Sequence, residues 1–183
     1  MLGGWRRVKF QGRRAGIVFL LIFLPLLVLT ALYAAGFRWA RTRSLPPGIY
    51  RLTDNVNDPL VSFCPEGEAS KISTERHYRE EAWTCPDHFA PLLKPIAARS
   101  GDIVTVTKDG ISVNGKALSK TRSYPYDGQH RPMNPWPEGT YTVSPGMIWV
   151  LSAYNPASFD SRYFGPIPER LILKHGHPVW QCR

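Results

Sequence analysis

The chain has 183 residues, which is enough for one domain with an appendage and for a sizeable apolar core. Its net charge is +9, but five basic residues precede a long apolar run, and the chain after Gly36 carries 18 basic against 14 acidic residues without a block of like charge. A basic terminus beside an apolar run is typical of membrane topology rather than of nucleic-acid binding. The charge distribution therefore predicts no nucleic-acid partner.

The first feature in chain order is an uncharged segment of 22 residues from Ala15 to Gly36. At about 1.5 Å per residue, a helix of this length crosses a hydrocarbon core of about 30 Å. Five basic residues precede the segment and three follow it closely, which favours a cytoplasmic N-terminus. We therefore predict a cytoplasmic basic tail at 1–14, a single transmembrane helix at 15–36 and an exported domain at 37–183.

A cleaved secretory signal is the alternative interpretation of the same segment, with Ala34-Ala35-Gly36 as its small-residue cleavage site. The apolar run is longer than the core of most signals, which favours the anchor. Both interpretations export the domain that follows.

Short strands dominate the prediction for this domain, whose fold class is mainly β. An Asp109-Gly110 turn predicts a hairpin over Ile103–Val113, and Ser73 as an N-cap predicts a short helix over 73–83. Residues 119–139 read as a loop whose aromatic residues and Met133 could enter a lipid interface, or as a plain surface loop. The remaining predicted strands are Gly48–Leu52, Leu60–Phe63, Thr140–Val143, Met147–Leu151 and Arg170–Lys174.

Three cysteines are present, Cys64, Cys85 and Cys182. A disulfide is plausible in an exported domain, and three cysteines allow three single pairings. The Cys64–Cys85 pairing is favoured because it would brace the segment that leads into Lys94. Three free thiols are the alternative.

Ser44 lies just beyond the apolar segment, in Ser44-Leu45-Pro46-Pro47-Gly48. Two prolines cannot join a helix or a central strand, and glycine permits backbone conformations that other residues avoid. Ser44 is therefore predicted on a stiff bend, which suits a nucleophile and equally an ordinary linker.

Lys94 is the most interesting candidate base, because apolar residues and a proline surround it over 92–98. Desolvation lowers the pKa of a lysine, and a neutral lysine can take the proton of a serine hydroxyl. The alternative is a lysine at a strand edge whose ammonium reaches water. His175 and His177 read as surface residues, no histidine has the context of a triad, and no Cys/His spacing supports a metal site.

A third stretch, Ser158-Phe159-Asp160-Ser161-Arg162, combines two hydroxyls, an acid and a base within five residues. It could hydrogen-bond a lysine and support it with an Asp160–Arg162 ion pair. Taken alone, this pattern is also found in ordinary polar turns.

Taken together, these stretches resemble the serine–lysine signal peptidases, and most of all their conjugal-transfer branch of TraF-type, pilin-processing peptidases. The resemblance spans about residues 15–166. Leu45 stands where housekeeping signal peptidases usually have methionine, and the stretch before Ser158 is simpler than theirs, which favours the conjugal branch. The resemblance rests on an apolar helix followed by 42–50, then 63–65, 91–98 with Gly101-Asp102, Asn114-Gly115 and 158–166.

The resemblance implies a role for each matching residue. Ser44 would be the nucleophile and Lys94 the general base. The Ser44 amide and the Thr42 hydroxyl would form the oxyanion hole. Ser158 would orient Lys94, and Asp160 with Arg162 would form a supporting ion pair.

The function that the resemblance implies is a serine endopeptidase of the bacterial inner membrane with a periplasmic catalytic domain and no cofactor. Its partners would be a precursor protein, membrane lipid and conjugative transfer machinery. The substrate would be the prepilin of a conjugative type IV secretion system, with hydrolysis or cyclisation as the outcome. A general type I signal peptidase and a non-enzymatic component of a transfer complex are the alternatives.

Overall fold

A computed structural model describes residues 8–40 and 44–182, with side chains from residue 17 onward. The described residues form two compact units that divide between Arg38 and Trp39. The first unit contains helix α1, Val8–Ala34, with Pro25 inside it. Its part from Ile17 to Ala34 has a mean hydropathy of 2.8 and is long and apolar enough to cross a membrane. The large apolar side chains along this part are exposed, as expected for a helix that meets lipid.

The second unit is built on two antiparallel sheets. The larger sheet has seven strands in the order β1-β2-β11-β3-β4-β9-β10, and the smaller has four in the order β7-β6-β5-β8. The mainly β fold class predicted from the sequence is confirmed. The strands are β1 Phe37–Ala40, β2 Gly48–Thr53, β3 Leu60–Phe63, β4 Leu92–Ala98, β5 Ile103–Thr107, β6 Gly110–Val113, β7 Lys116–Ala117, β8 Gly139–Thr142, β9 Met147–Val150, β10 Ile167–Pro168 and β11 Ile172–Gln181.

The last strand is longer than predicted, because β11 is an interior strand that pairs with β2 on one side and β3 on the other. The predicted hairpin is present as β5 and β6, but Thr107 pairs with Gly110, so the turn is Lys108-Asp109, one residue earlier than expected. The remaining predicted strands match the structure to within two residues at each end.

The predicted helix over 73–83 is wrong. The helix there is α2, Gly67–Glu75, and Ser73 is buried inside it with its hydroxyl bonded to the Ser70 carbonyl. Beyond Arg76 the chain is irregular, because Arg79 folds back to bind Asp87 and the Ala90 carbonyl. A side-chain network therefore replaces the helical turns that an N-cap at Ser73 would have begun. The other helical segments are α3, Ser161–Phe164, and a 3₁₀ turn at Glu169–Leu171.

Strands β4 and β9 pair with each other, and the small sheet is formed by the chain between them. A core cluster that includes Ala98, Val104, Ile111 and Trp149 fills the space between the two sheets. The chain leaves the large sheet at the end of β4, builds the small sheet and returns as β9. The lysine strand, β4, is thus an interior strand of the large sheet, between β3 and β9.

The lipid-interface prediction for the loop at 119–139 is wrong for two of its side chains. Met133 is buried, and the Trp136 ring packs edge-on against Trp149. A side chain at Gly165 would lie 2.5 Å from the Trp136 ring, and Gly165 has a φ of +71°, so only glycine fits this position. The tryptophan is therefore a packing residue that covers the core.

Cys64 and Cys85 form a disulfide, which confirms the favoured pairing. The bond ties the end of β3 to the irregular segment that precedes β4. Cys182 is exposed and has a free thiol.

Candidate active site

Ser44 lies at the start of the turn that leads into β2. Leu45 is buried in an apolar cluster with Tyr50, and the Tyr50 hydroxyl donates to the Pro46 carbonyl over 2.6 Å. The turn is therefore anchored by a buried residue and by a hydrogen bond to one of its carbonyls. Ser44 itself is half-buried.

Gly48 is required for close approach rather than for an unusual φ. A Cβ at this position would lie 2.2 Å from the Trp180 carbonyl oxygen of the neighbouring strand. The expectation that Gly48 supplies an unusual backbone conformation is wrong, since its φ lies outside the left-handed region.

Lys94 is the third residue of β4 and lies opposite Val61 of β3. Side chains alternate along a strand, so Leu92 and Ile96 share its face of the sheet. Val61, Leu92 and Ile96 all belong to one apolar cluster. Lys94 is only 3% exposed, so its ammonium does not reach bulk water as a strand-edge lysine would.

Three polar atoms meet where Lys94 ends. Its Nζ lies 2.5 Å from the Ser44 Oγ and 2.9 Å from the Ser158 Oγ. The two hydroxyl oxygens are 3.0 Å apart. The structure thus brings together three residues that the sequence separates by 50 and 64 positions. We call this arrangement the Ser44–Lys94–Ser158 triangle.

Burial lowers the pKa of Lys94 to about 8, because an ammonium is poorly solvated among apolar groups. The negative charge of Asp160 opposes this effect and the positive charge of Arg162 adds to it. Near pH 8 the amine is neutral in about half of the molecules. A neutral Lys94 can accept the Ser44 hydroxyl hydrogen while its own N–H donates to Ser158.

Asp160 and Arg162 form a fully buried, two-pronged ion pair. The Arg162 Nε and one terminal nitrogen donate to the two carboxylate oxygens over 2.8 and 3.0 Å. The remaining donors of Arg162 bind the carbonyls of Pro156, Lys120 and Ser152. Each nitrogen of the Arg162 guanidinium thus has a hydrogen-bond partner inside the domain. The ion pair holds the loop between β9 and α3, which carries Ser158.

An open cleft of about 930 Å³ adjoins the triangle, and Ser44, Lys94 and Ser158 line it. One wall is the first part of β4, Leu92 to Lys94, with the two residues before it. Two further walls come from the segments 76–80 and 126–133, which were not predicted from the sequence to belong to the site. Their residues are Arg76, His77, Tyr78, Arg79, Glu80, Tyr126, Asp127, Gly128, Gln129, Arg131 and Met133.

Asp127 joins two of these walls. Its carboxylate accepts the Tyr78 hydroxyl over 2.5 Å, the Arg131 Nε over 2.7 Å and an Arg76 nitrogen over 3.4 Å. Burial alone would raise the pKa of Asp127, but the hydrogen bonds from the Tyr78 and Arg131 side chains and two from the main chain hold this pKa well below its usual range. A carboxylate that stays charged can keep the two segments together at all ordinary pH values.

Thr42 and the two histidines near the C-terminus are the predicted residues still to be described. Thr42, the second predicted oxyanion donor, lies outside the described residues. His175 and His177 are not among the residues that line the cleft, and the His177 Nδ1 lies 3.0 Å from Asp58. Among the residues that the structure describes, no group of three His, Cys, Asp or Glu side chains could hold a metal ion.

A comparison with known protein families identifies the family of this chain. The family model described as signal peptidase, peptidase S26, matches residues 14–180. The chain belongs to this peptidase family.

The relatives that it resembles within the family carry conjugation names, as the sequence pattern predicted. Plasmid transfer protein TraF of Escherichia coli is 31% identical over 160 residues, which are 84% of this chain and 88% of the relative. Conjugal transfer protein TraF of Agrobacterium fabrum (strain C58) is 33% identical over 158 residues, 79% of this chain and 82% of the relative. Among solved structures, a signal peptidase I from Enterococcus faecalis matches with a TM-score of 0.36 and 18% identity, over 67% of this chain and 97% of that chain.

Proposed function

We propose that the chain is a membrane-anchored serine endopeptidase in which Ser44 is the nucleophile and Lys94 the general base. The observation that carries the proposal is the Ser44–Lys94–Ser158 triangle, with the lysine 3% exposed and its Nζ 2.5 Å from the serine hydroxyl. A serine hydroxyl is a weak nucleophile until a base takes its proton. A lysine with a pKa of about 8 meets that need near neutral pH.

The reaction has two halves. Neutral Lys94 takes the proton of Ser44 as the Oγ attacks the scissile carbonyl. The resulting ammonium gives this proton to the departing amine when the C–N bond breaks and an acyl-enzyme forms. Water then attacks the ester with Lys94 again as the base, which releases the new carboxyl end and restores Ser44. An amine in place of water would join the two ends, so the same intermediate supports hydrolysis or cyclisation.

The remaining predicted residues assist this chemistry. The Ser44 amide, with the Thr42 hydroxyl, would stabilise the oxyanion, and such a donor contributes about 3–4 kcal/mol to lowering the barrier. Ser158 takes a hydrogen bond from the Lys94 amine and so directs its lone pair toward Ser44. Asp160 and Arg162 hold the Ser158 loop in place.

The substrate that we propose is an exported precursor of a conjugative transfer system, its prepilin. The names of the relatives support the conjugative context, since they are plasmid and conjugal transfer proteins. The apolar part of α1 supports a membrane anchor. The basic residues before it favour a cytoplasmic tail at 1–14 and a catalytic domain at 37–183 in the periplasm. Cleavage would then occur near the periplasmic face of the inner membrane.

The test is prepilin processing in cells that express the wild type, Ser44→Ala or Lys94→Ala at matched levels. Lys116→Ala is the matched control, because Lys116 is an exposed lysine on β7 that does not line the cleft. We expect the wild type and the control to cut prepilin and the two site variants to leave it uncut. The mass of the product then distinguishes a linear from a cyclic chain, since the two differ by one water.

Each other result points to a different error. Cleavage by Lys94→Ala would place the base elsewhere. Cleavage by Ser44→Ala would remove the nucleophile from the mechanism. If the wild type leaves prepilin uncut but processes a secretory precursor with an Ala-x-Ala site, the chain is a general signal peptidase. If it cuts neither, the prediction of a non-enzymatic component of a transfer complex replaces the enzyme.

A further inference from the structure

A fully buried hydroxyl that has no place in the predicted site contacts the main chain of Ser44. The Ser152 Oγ donates a hydrogen bond to the Ser44 carbonyl over 2.6 Å. The same oxygen accepts the amides of Tyr154 and Asn155, each over 3.2 Å. A serine hydroxyl has one hydrogen and two lone pairs, so these three bonds use its whole capacity. The direction of the bond to Ser44 is therefore fixed.

The turn that carries Ser44 depends on such contacts because two of its residues are prolines. Pro46 and Pro47 have no amide hydrogen, so their main chain can be tied only through carbonyl oxygens. The Pro46 carbonyl accepts the Tyr50 hydroxyl, and the Pro47 carbonyl accepts the Cys182 amide over 2.8 Å. The Ser152 hydroxyl makes the corresponding hydrogen bond to the carbonyl of Ser44, whose own hydroxyl contacts Lys94.

Ser152 is in turn held by the buried ion pair. Its amide donates to Asp160 over 3.0 Å, and its carbonyl accepts from Arg162 over 2.8 Å. A continuous set of hydrogen bonds thus runs from the ion pair through Ser152 to the Ser44 carbonyl. The charges of the ion pair act on Lys94, and this set of hydrogen bonds connects the pair to Ser44.

We propose that Ser152 is a positioning residue, which fixes the main chain of Ser44 so that its Oγ stays in line with Lys94. The inference rests on the proposed function, because it assigns to Ser152 the alignment of that nucleophile. It also explains why the Asp160–Arg162 pair is placed where both of its members can hold the main chain of Ser152.

The test compares Ser152→Ala with Ser161→Ala in the full chain in detergent. Ser161 is a matched control, because it is also fully buried and its hydroxyl accepts the Val150 amide over 2.9 Å. Both variants lose a buried hydroxyl that bonds the main chain, but the Ser161 hydroxyl bonds the main chain of β9 instead of Ser44. The probe is a fluorogenic peptide that spans the cleavage site of the prepilin, and Ser44→Ala gives the background rate.

We expect Ser152→Ala to lower kcat roughly 10- to 100-fold with little change in KM, because misalignment slows the chemical step and leaves peptide binding intact. The pH at which kcat/KM rises should stay that of the wild type, because the contacts of the Lys94 amine are retained. Ser161→Ala should keep kcat near the wild-type value at a comparable fall in Tm. Equal losses of kcat in the two variants would overturn the proposal.

Hydrogen–deuterium exchange over 44–50 gives a second measurement that does not depend on catalysis. We expect faster exchange there in Ser152→Ala and wild-type exchange in Ser161→Ala, because only the former loses the tie at the Ser44 carbonyl. Unchanged exchange in Ser152→Ala would overturn the inference even if the peptidase is confirmed. Wild-type turnover by Ser44→Ala would instead contradict the proposed function, and the two failures are thus told apart.

Discussion

Replacement of Lys94 by methionine should stabilise the domain at neutral pH and should stabilise it much less at pH 10. In the folded chain burial lowers the pKa of Lys94 from the ordinary 10.5 to about 8. Between these two values the unfolded chain holds a proton that the folded chain does not. The stability of the wild type therefore rises with pH across this window, by about 1.4 kcal/mol for each pH unit.

The sign and size of this change in stability follow from the pH range between the two pKa values of Lys94. Below pH 8 both states are protonated, so the wild type carries the whole penalty for a buried ammonium. From pH 8 to pH 10 it recovers about 2.7 kcal/mol. Methionine has no proton to lose, so the free energy of unfolding of Lys94→Met does not change in this way. The stability that Lys94→Met has in excess of the wild type is therefore smaller at pH 10 than at pH 7 by that same amount. For a domain of this size the difference corresponds to roughly 5–10 °C in Tm.

The assay is thermal unfolding of the full chain in detergent, followed by tryptophan fluorescence at pH 7 and pH 10. A Cys182→Ser background keeps the exposed thiol from attacking the disulfide at high pH. Leu93→Met is the control, because Leu93 is the half-buried neighbour of Lys94 on β4 and carries no charge. An equal Tm difference between Lys94→Met and wild type at the two pH values would refute a desolvated lysine, and with it the general base.

The remaining predictions concern the titration of the base and the walls of the cleft. The kcat/KM of the wild type should rise about tenfold per pH unit below pH 8 and level off above it, because Lys94 is active only after it loses its proton; a flat profile would contradict this. Replacement of both Cys64 and Cys85 by serine should cost about 3 kcal/mol of stability, because the disulfide closes a loop with a sequence separation of 21. Denaturant unfolding measures this loss. An unchanged midpoint would show that the loop is already fixed by other contacts. Asp127→Asn should cost about 2 kcal/mol of stability and expose the chain near 126–133 to proteolysis, because the charged partner of two arginines is lost. If the variant resists a protease as well as the wild type does, the Asp127 network does not hold these segments.

Where residues close in sequence set the outcome, the sequence predicted the structure well. Short apolar runs bounded by Gly/Pro turns located the predicted strands, because a strand depends on its own residues and their immediate flanks. The burial of Lys94 followed from the apolar residues beside it on the same strand. The stiff turn after Ser44 followed from its two prolines.

Side-chain contacts between distant segments account for the errors. The segment after Arg76 reads as a helix by its N-cap pattern, but Arg79 bonds to Asp87 and draws the chain away from the helix. Trp136 reads as a membrane-facing aromatic, but its ring packs against Trp149 at the core. In both cases the stabilising contact is with a residue that lies outside the local pattern from which the structure was predicted.

The sequence by itself determined the apolar helix, the β character of the domain, the bend at Ser44 and the low polarity around Lys94, because each depends on neighbours along the chain. Only the tertiary structure decided that Ser44 and Ser158 meet on the Lys94 amine across 50 and 64 positions, and that Ser152 holds the Ser44 carbonyl. These contacts depend on which strands pair and in what register, and the pairing is set by the burial of the whole core.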